Sequence, residues 1–316
     1  MTASPIASML LGALVADAAT LGLHWLYDPE RIAEIAARQG GHSAFTPVDA
    51  KNFEGVRGYF AHGARHNGML TQYGEVLRLA IRSINAQGGF DVAAYQTAFT
   101  AHFGPGGSYQ GYIDRPTRGA LSNILAEVSP SGIDDDQHPA IATLPAIFAR
   151  YRDTADLATM IKAAMEVTNV NAVAAAYSAV FTDLLTRIIA GEDLHHALEA
   201  AAADADDLIR EELSEGLTTT ELSSVDYGEH TGRACHLPMS GRLMFHILKH
   251  SADFTDAVER NILTGGDSAG RAILIGAVMG AAHGIATDRG IPLSWILTLT
   301  DGDAIWAECQ ALDQAG

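Results

Sequence analysis

Between residues 268 and 285 the chain is a long run of small and apolar residues in which Ala272, Gly276, Gly280 and Gly284 recur four apart. On a helix that spacing lines up one smooth face, against which a second helix packs closely. The rest of the sequence agrees: 48% of residues are hydrophobic, mostly alanine and leucine, which favour helices. The spacing predicts helices near 4–22, 30–38, 69–86, 91–102, 116–127, 137–151, 154–166, 171–190, 193–213, 238–250, 253–263, 268–285 and 302–313. Nothing reads as a sheet. The expected fold is all-α, a compact orthogonal helical bundle of about a dozen helices.

The chain has 316 residues, yet no Pro/Ser/Gly-rich or charge-dense linker divides it, so residues 1–316 are expected to form a single domain. Lys and Arg total 20 against 38 Asp and Glu, a formal charge of −18. Nucleic acid and anionic membrane surfaces are repelled by such a balance, which leaves a small molecule with local basic contacts as the expected partner. Two cysteines, Cys235 and Cys309, give no disulfide framework and fit a reducing compartment. Residues 6–16 superficially copy a signal-peptide core, but the first basic residue is Arg31, so a buried first helix is expected instead. No apolar run reaches the roughly 20 residues of a membrane span. The expected location is cytoplasmic.

Two stretches break the helical pattern. Residues 39–67 carry glycines, aromatics and histidines without a sustained period, and a loop of that length is more often functional than accidental. Residues 103–118 are rich in glycine and proline; Gly106 and Gly107, followed by Ser108, let backbone approach a ligand, while Tyr109 and Tyr112 offer a flat apolar surface. A plain turn with half-buried tyrosines accounts for the same residues. The acidic, threonine- and serine-rich segment 201–230 reads as an excursion over the surface.

Thr264-Gly-Gly-Asp267 ends one helix and starts the next, which places Asp267 where an N-cap accepts backbone N–H bonds and meets the positive end of the helix dipole. The run that follows, residues 265–281, resembles the closing signature of the ADP-ribosylglycohydrolase family, usually Gly-Gly-Asp-Thr-Asp-Thr before a small-residue helix. Gly12-Ala-Leu-Val-Ala-Asp17-Ala is similar to that family's opening Gly-x-x-x-Gly-Asp-Ala, and Thr168-Asn-Val-Asn171 stands where the family has a Thr-His turn. The resemblance implies an ADP-ribosylglycohydrolase-like all-α fold, two magnesium ions, and hydrolysis of a glycosidic bond at the ribose of ADP-ribose conjugates. Magnesium takes hard oxygen ligands, which explains the family's carboxylate-rich motifs.

Departures from the family pattern fall on those ligands. Where Thr-Asp-Asp-Thr is expected, the chain reads Thr71-Gln72-Tyr73-Gly74-Glu75; in the closing motif Asp267 matches, but Ala269 replaces the second aspartate and Arg271 follows. A paired-magnesium site is therefore not expected, although Asp267 remains the one candidate metal ligand. The chain looks closest to a divergent, J1-crystallin-like branch, with His24-Trp25-Leu-Tyr-Asp28 and the loop 111–118 as its marks.

Metal-free cleavage of a glycosidic bond needs one carboxyl to protonate the leaving group and another to activate water or stabilise the transition state. The candidate catalytic residues are Asp267, as base or electrostatic stabiliser, with Glu75 or Asp114 as partner. Asp17 and Asp28 are the other acids beside the matched segments. Candidate substrate contacts are His24, Trp25, Asp28, Gly106, Gly107, Ser108, Tyr109, Tyr112 and Arg271; each has a plainer role as cap, turn or core residue, and for Arg271 an ion pair with Asp267 is the simpler one. The ligand implied is a small, ADP-ribose-like molecule. A ligand-binding or structural protein that kept the fold and lost the chemistry is the alternative. Elsewhere, His246 and His250, and likewise His62 and His66, have metal-capable spacing but lack the glutamate of the zinc-protease motif. Asp134-Asp-Asp136 reads as an N-cap, and residues 104–107 lack the lysine of a phosphate loop.

Overall fold

The computed structural model describes residues 3–316. Its helices are, in chain order, α1 (Pro5–Thr20), α2 (Pro29–Arg38), α3 (Gln72–Gln87), α4 (Val92–Phe103), α5 (Arg115–Leu125), α6 (Pro139–Ala142), α7 (Leu144–Tyr151), α8 (Leu157–Met165) and α9 (Ala172–Ile189), followed by α10 (Leu194–Asp204), α11 (Arg210–Thr218), α12 (Ser224–Thr231), α13 (Leu237–His250), α14 (Phe254–Thr264), α15 (Ser268–His283), α16 (Leu293–Thr298) and α17 (Gly302–Ala315). A 3₁₀ turn, Ala50–Phe53, lies in the long loop, and no strand forms among the described residues. The chain adopts the all-α class its periodicity implies.

Helices α1 and α15 form the most extensive contact of the fold. Their backbones meet where side chains are absent: a Cβ added at Gly276 would collide with the Gly12 carbonyl, one at Gly12 with the Gly276 carbonyl, and one at Gly280 with that of Ser8. This is the smooth face read from the sequence, pressed on a helix whose residues Ile6–Thr20 are all buried. Around the pair pack α3, α7, α14 and α17 on the α1 side and α9, α13 and α14 on the α15 side. Helix α9 is long and apolar enough to cross a membrane, with a mean hydropathy of 1.4 over 18 residues, and half of it is buried by neighbours.

Several boundaries differ from expectation. The helix expected over 137–151 is two helices, α6 and α7, separated at Thr143; Pro145 opens the second and has no N–H to continue the ladder. The helix expected over 193–213 ends at Asp204, where Ala205 turns extended with ψ 156°, before α11 begins. The expected excursion over 201–230 is largely helical, and α12 packs on α13 and α14. The acidic run 134–136 caps no helix. His138 stands at the N-cap of α6 without a cap bond, while Asp134 meets Asn171, Asp135 meets Arg115 and Gln137, and Asp136 pairs with His236.

Candidate active site

Asp267 is positioned by the turn before it. Gly265 and Gly266 take φ values of 76° and 69°, in the region that favours glycine, and a Cβ on Gly266 would strike the Arg233 carbonyl. The turn is then laced to its neighbours: Gly266 N–H donates to the Leu26 carbonyl at 2.8 Å, Trp25 N–H to the Gly266 carbonyl at 2.9 Å, and Asp267 N–H to the Arg233 carbonyl at 2.9 Å. Arg271 completes the lacing. Its side chain, fully buried, donates to the carbonyls of Gly265 at 2.6 Å and Arg233 at 3.3 Å and to Asn261 Oδ1 at 2.8 Å. The expected ion pair with Asp267 does not form, because these neutral oxygens occupy the guanidinium; burial pushes its pKa down to about 10. Arg271 is thus committed to the turn rather than turned towards a ligand.

The Asp267 carboxylate has no solvent exposure, and both oxygens have protein partners. Oδ1 accepts the Gly270 N–H at 3.0 Å, the N-cap bond foreseen for it, and lies 2.8 Å from His24 Nε2; Oδ2 accepts the Tyr73 hydroxyl at 2.9 Å. Burial alone would raise its pKa, but hydrogen bonds, led by that from His24 with the Gly270 N–H beside it, work against burial, and the carboxyl lies well below its usual range. His24 Nδ1 in turn lies 2.7 Å from His62 Nε2, with the two ring planes within 27° of parallel. His138 is also buried, its ring 6.0 Å from that of Tyr73, and neither of its nitrogens has a partner. Burial pushes His138 down to about 4, which leaves it neutral.

Three further acids surround the start of α3. Asp17, buried in α1, accepts the Thr71 N–H at 2.7 Å, the Gly74 N–H at 3.2 Å and the Thr71 hydroxyl; burial nevertheless pushes its pKa up to about 7. Asp114 caps α5 through Thr117 N–H at 2.8 Å. Gln72, in place of a family aspartate, bonds it twice, donating Nε2 to Asp114 Oδ2 at 2.7 Å and accepting the Asp114 N–H at 2.8 Å. Burial raises Asp114 to about 6. Glu75 has the opposite balance: burial disfavours its charge, but His102, at 3.2 Å, and an ion pair with Arg65 outweigh that and lower its pKa.

Over His24 lies an aromatic rim. Trp25, in the left-handed region with φ 65°, packs edge-on against Tyr112 with ring centres 4.7 Å apart, and Tyr59 closes the group at 5.9 and 5.8 Å from the two. Trp25 and Tyr112 are half-buried, Tyr59 is exposed, and the exposed Arg118 stacks over Tyr112. The glycine loop is a turn tied to the Glu75 group: Gly107 N–H donates to the Gly104 carbonyl, Ser108 Oγ lies 2.6 Å from His102 Nδ1, and Gly106 is exposed with φ 79°. Tyr109 is buried beneath Arg65 and donates its hydroxyl to the Tyr112 carbonyl. Asp28 lies elsewhere in function: it caps α2, accepting the Arg31 N–H at 2.9 Å.

Sequence reasoning missed Tyr59 and His138 altogether and treated His62 only as half of a spaced histidine pair. His66, its supposed partner, is exposed and bonded to a neighbouring carbonyl, while His62 is buried against His24. No local pattern announces either contact, since the pairing spans 38 residues.

An all-helical fold closed by a Gly-Gly-Asp turn over a buried carboxylate cluster is the class these features define. The family model described as ADP-ribosylglycohydrolase matches residues 2–316, and the chain belongs to that family. Crystallin J1A of Tripedalia cystophora is 27% identical over 309 residues, 94% of this chain and 92% of that protein. Crystallin J1B of the same animal is 25% identical over 300 residues, 91% and 89% of the two chains. A solved structure described as an ADP-ribosylglycohydrolase-related protein complex matches with a TM-score of 0.72 at 16% identity, covering 99% of this chain and 98% of that one, a likeness of fold.

The magnesium pair that the family implies does not fit these residues. Gln72 and Tyr73 present an amide and a phenol where carboxylates are required, both Asp267 oxygens are engaged by protein donors, and no three His, Cys, Asp or Glu side chains converge as a metal site among the described residues.

Proposed function

We propose that the chain is a glycoside hydrolase acting on an N- or O-glycosidic bond of a ribosylated, ADP-ribose-like small molecule, without a magnesium pair. The observation that carries this reading is a pair of buried carboxyl groups driven in opposite directions: Asp267 is held ionised, whereas Asp114 is raised to about 6. Such a division is what acid and charge-stabilising roles require of two otherwise similar groups. In this reading Asp114 protonates the leaving group, and Asp267 stabilises positive charge through the His24 ring it holds. Glu75, ionised by His102 and Arg65, positions the glycine loop instead. Trp25, Tyr59 and Tyr112, with their rings tilted against one another, offer aromatic faces and edges to a base or sugar, and the exposed Arg118 over Tyr112 supplies local positive charge for a phosphate in an otherwise acidic protein.

The test is sugar release from a panel of ADP-ribosyl conjugates and nitrophenyl ribosides, with EDTA present. Release should survive the chelator and fall about 10²-fold or more in Asp114→Asn. An inert wild type would leave a second reading, a ligand-binding or structural protein. That reading is favoured by the complete protein solvation of the Asp267 carboxylate and by the similarity to proteins called crystallins. It expects a thermal shift with ADP-ribose and no product.

A further inference from the structure

The histidines beside Asp267 form a chain of short contacts. An ionised carboxylate only accepts, so the 2.8 Å contact at Oδ1 places a proton on His24 Nε2. A neutral His24 accepts at Nδ1, and the 2.7 Å contact then has His62 Nε2 as its donor; a doubly protonated His24 reverses that contact. In the first arrangement His62 Nδ1 is left as a bare lone pair. That nitrogen is buried, in a residue only 4% exposed, and it meets no protein donor. Buried polar atoms are ordinarily paired, so an unpartnered nitrogen at the end of a chain of hydrogen bonds marks a place where a ligand or water supplies the partner. His138, also unpartnered, is linked to no such chain and its tautomer is not set.

We propose that Asp267, His24 and His62 form a proton relay whose terminal His62 Nδ1 is the base for the water that attacks the glycosidic carbon. The inference rests on the glycosidase reading above. Water gives one proton to His62 Nδ1, and its oxygen bonds to the anomeric carbon. The His62 Nε2 proton passes to His24 Nδ1, which makes His24 an imidazolium against the Asp267 carboxylate. The glycosidic bond breaks with its electron pair on the leaving group, which takes a proton from Asp114. Return of the relay proton to solvent and uptake of one by Asp114 restore the site. Asp267 and His24 are positioning residues here, and His62 is the group that touches the reacting water.

Two measurements on the full chain separate this relay from the glycosidase reading. Long-range proton–nitrogen-15 spectra at neutral pH should show His62 and His24 both protonated on Nε2 and bare on Nδ1; a proton on His62 Nδ1 overturns the relay whatever the activity. On the riboside panel, His62→Gln should lose at least about 10²-fold in kcat with an unchanged unfolding midpoint, and added imidazole should partly restore His62→Ala. An active wild type with an equally active His62→Gln overturns the base role alone. A wild type inert on the whole panel overturns the glycosidase reading and the base role together, even if the tautomers are as expected.

Discussion

Tyr73 donates its hydroxyl to Asp267 Oδ2 at 2.9 Å, from the position where the family's motif carries an aspartate. A residue that would have shared a cation with Asp267 instead satisfies it directly. Tyr73→Phe removes that donor while keeping the ring in place, leaving one oxygen of a buried, ionised carboxylate without a partner. Urea unfolding at neutral pH should show a loss of about 1.5–3 kcal/mol, the range for a hydrogen bond to a charged group. A change under about 0.5 kcal/mol would mean the hydroxyl is not what holds Asp267.

The same substitution pattern governs metal binding. Isothermal titration of chelator-stripped protein with magnesium should give no saturable heat, and millimolar magnesium should leave the unfolding midpoint unchanged. Binding that vanishes in Asp267→Ala would show instead that the carboxylate exchanges its protein donors for a cation.

The helical skeleton was readable because its signal is local. The glycines of α15 recur with the helix period, and the contact they make with α1 follows from their lack of side chains. The capping role of Asp267 was likewise readable from the glycines before it. What the sequence does not carry is long-range pairing: His24 meets Asp267 across 243 residues, and Gln72 meets Asp114 across 42. Environments are hidden for the same reason. Glu75 and Asp114 looked equivalent until Arg65 and His102 were found beside the first and an amide beside the second. Arg271, one helical turn from Asp267, takes the carbonyls of Gly265 and Arg233 because those oxygens lie within reach of its guanidinium.

The α1–α15 contact gives a sharp packing test. In Gly276→Ala the new methyl would collide with the Gly12 carbonyl and the Ala16 side chain, so the two central helices must separate. Relief of such overpacking costs about 1–3 kcal/mol, measurable as a lowered unfolding midpoint. Gly191→Ala is a useful companion, because no atom lies within 4 Å of a Cβ there and its cost comes from φ 91° alone. If Gly276→Ala costs no more than Gly191→Ala, the close approach of α1 and α15 is wrong.

Asp17 should make stability depend on pH in a direction unusual for a carboxylate. Burial raises it from 3.8 to about 7, only partly offset by the donors of Thr71 and Gly74. Between those values the folded chain keeps a proton that the unfolded chain has released. The contribution of Asp17 is therefore fully present in acid and is lost as pH rises from 3.8 through about 7. The amide introduced by Asp17→Asn cannot titrate, while Asp114 and His138 titrate in both proteins and cancel in the difference. The stability of wild type minus that of Asp17→Asn should thus fall between pH 5 and pH 8 by about 2.5 kcal/mol, given a limiting slope of about 1.4 kcal/mol per pH unit over the two units from 5 to 7. Urea unfolding at several pH values measures it; a difference that stays constant across that range would mean that Asp17 is ionised throughout, held so by Thr71 and the backbone of the α3 turn.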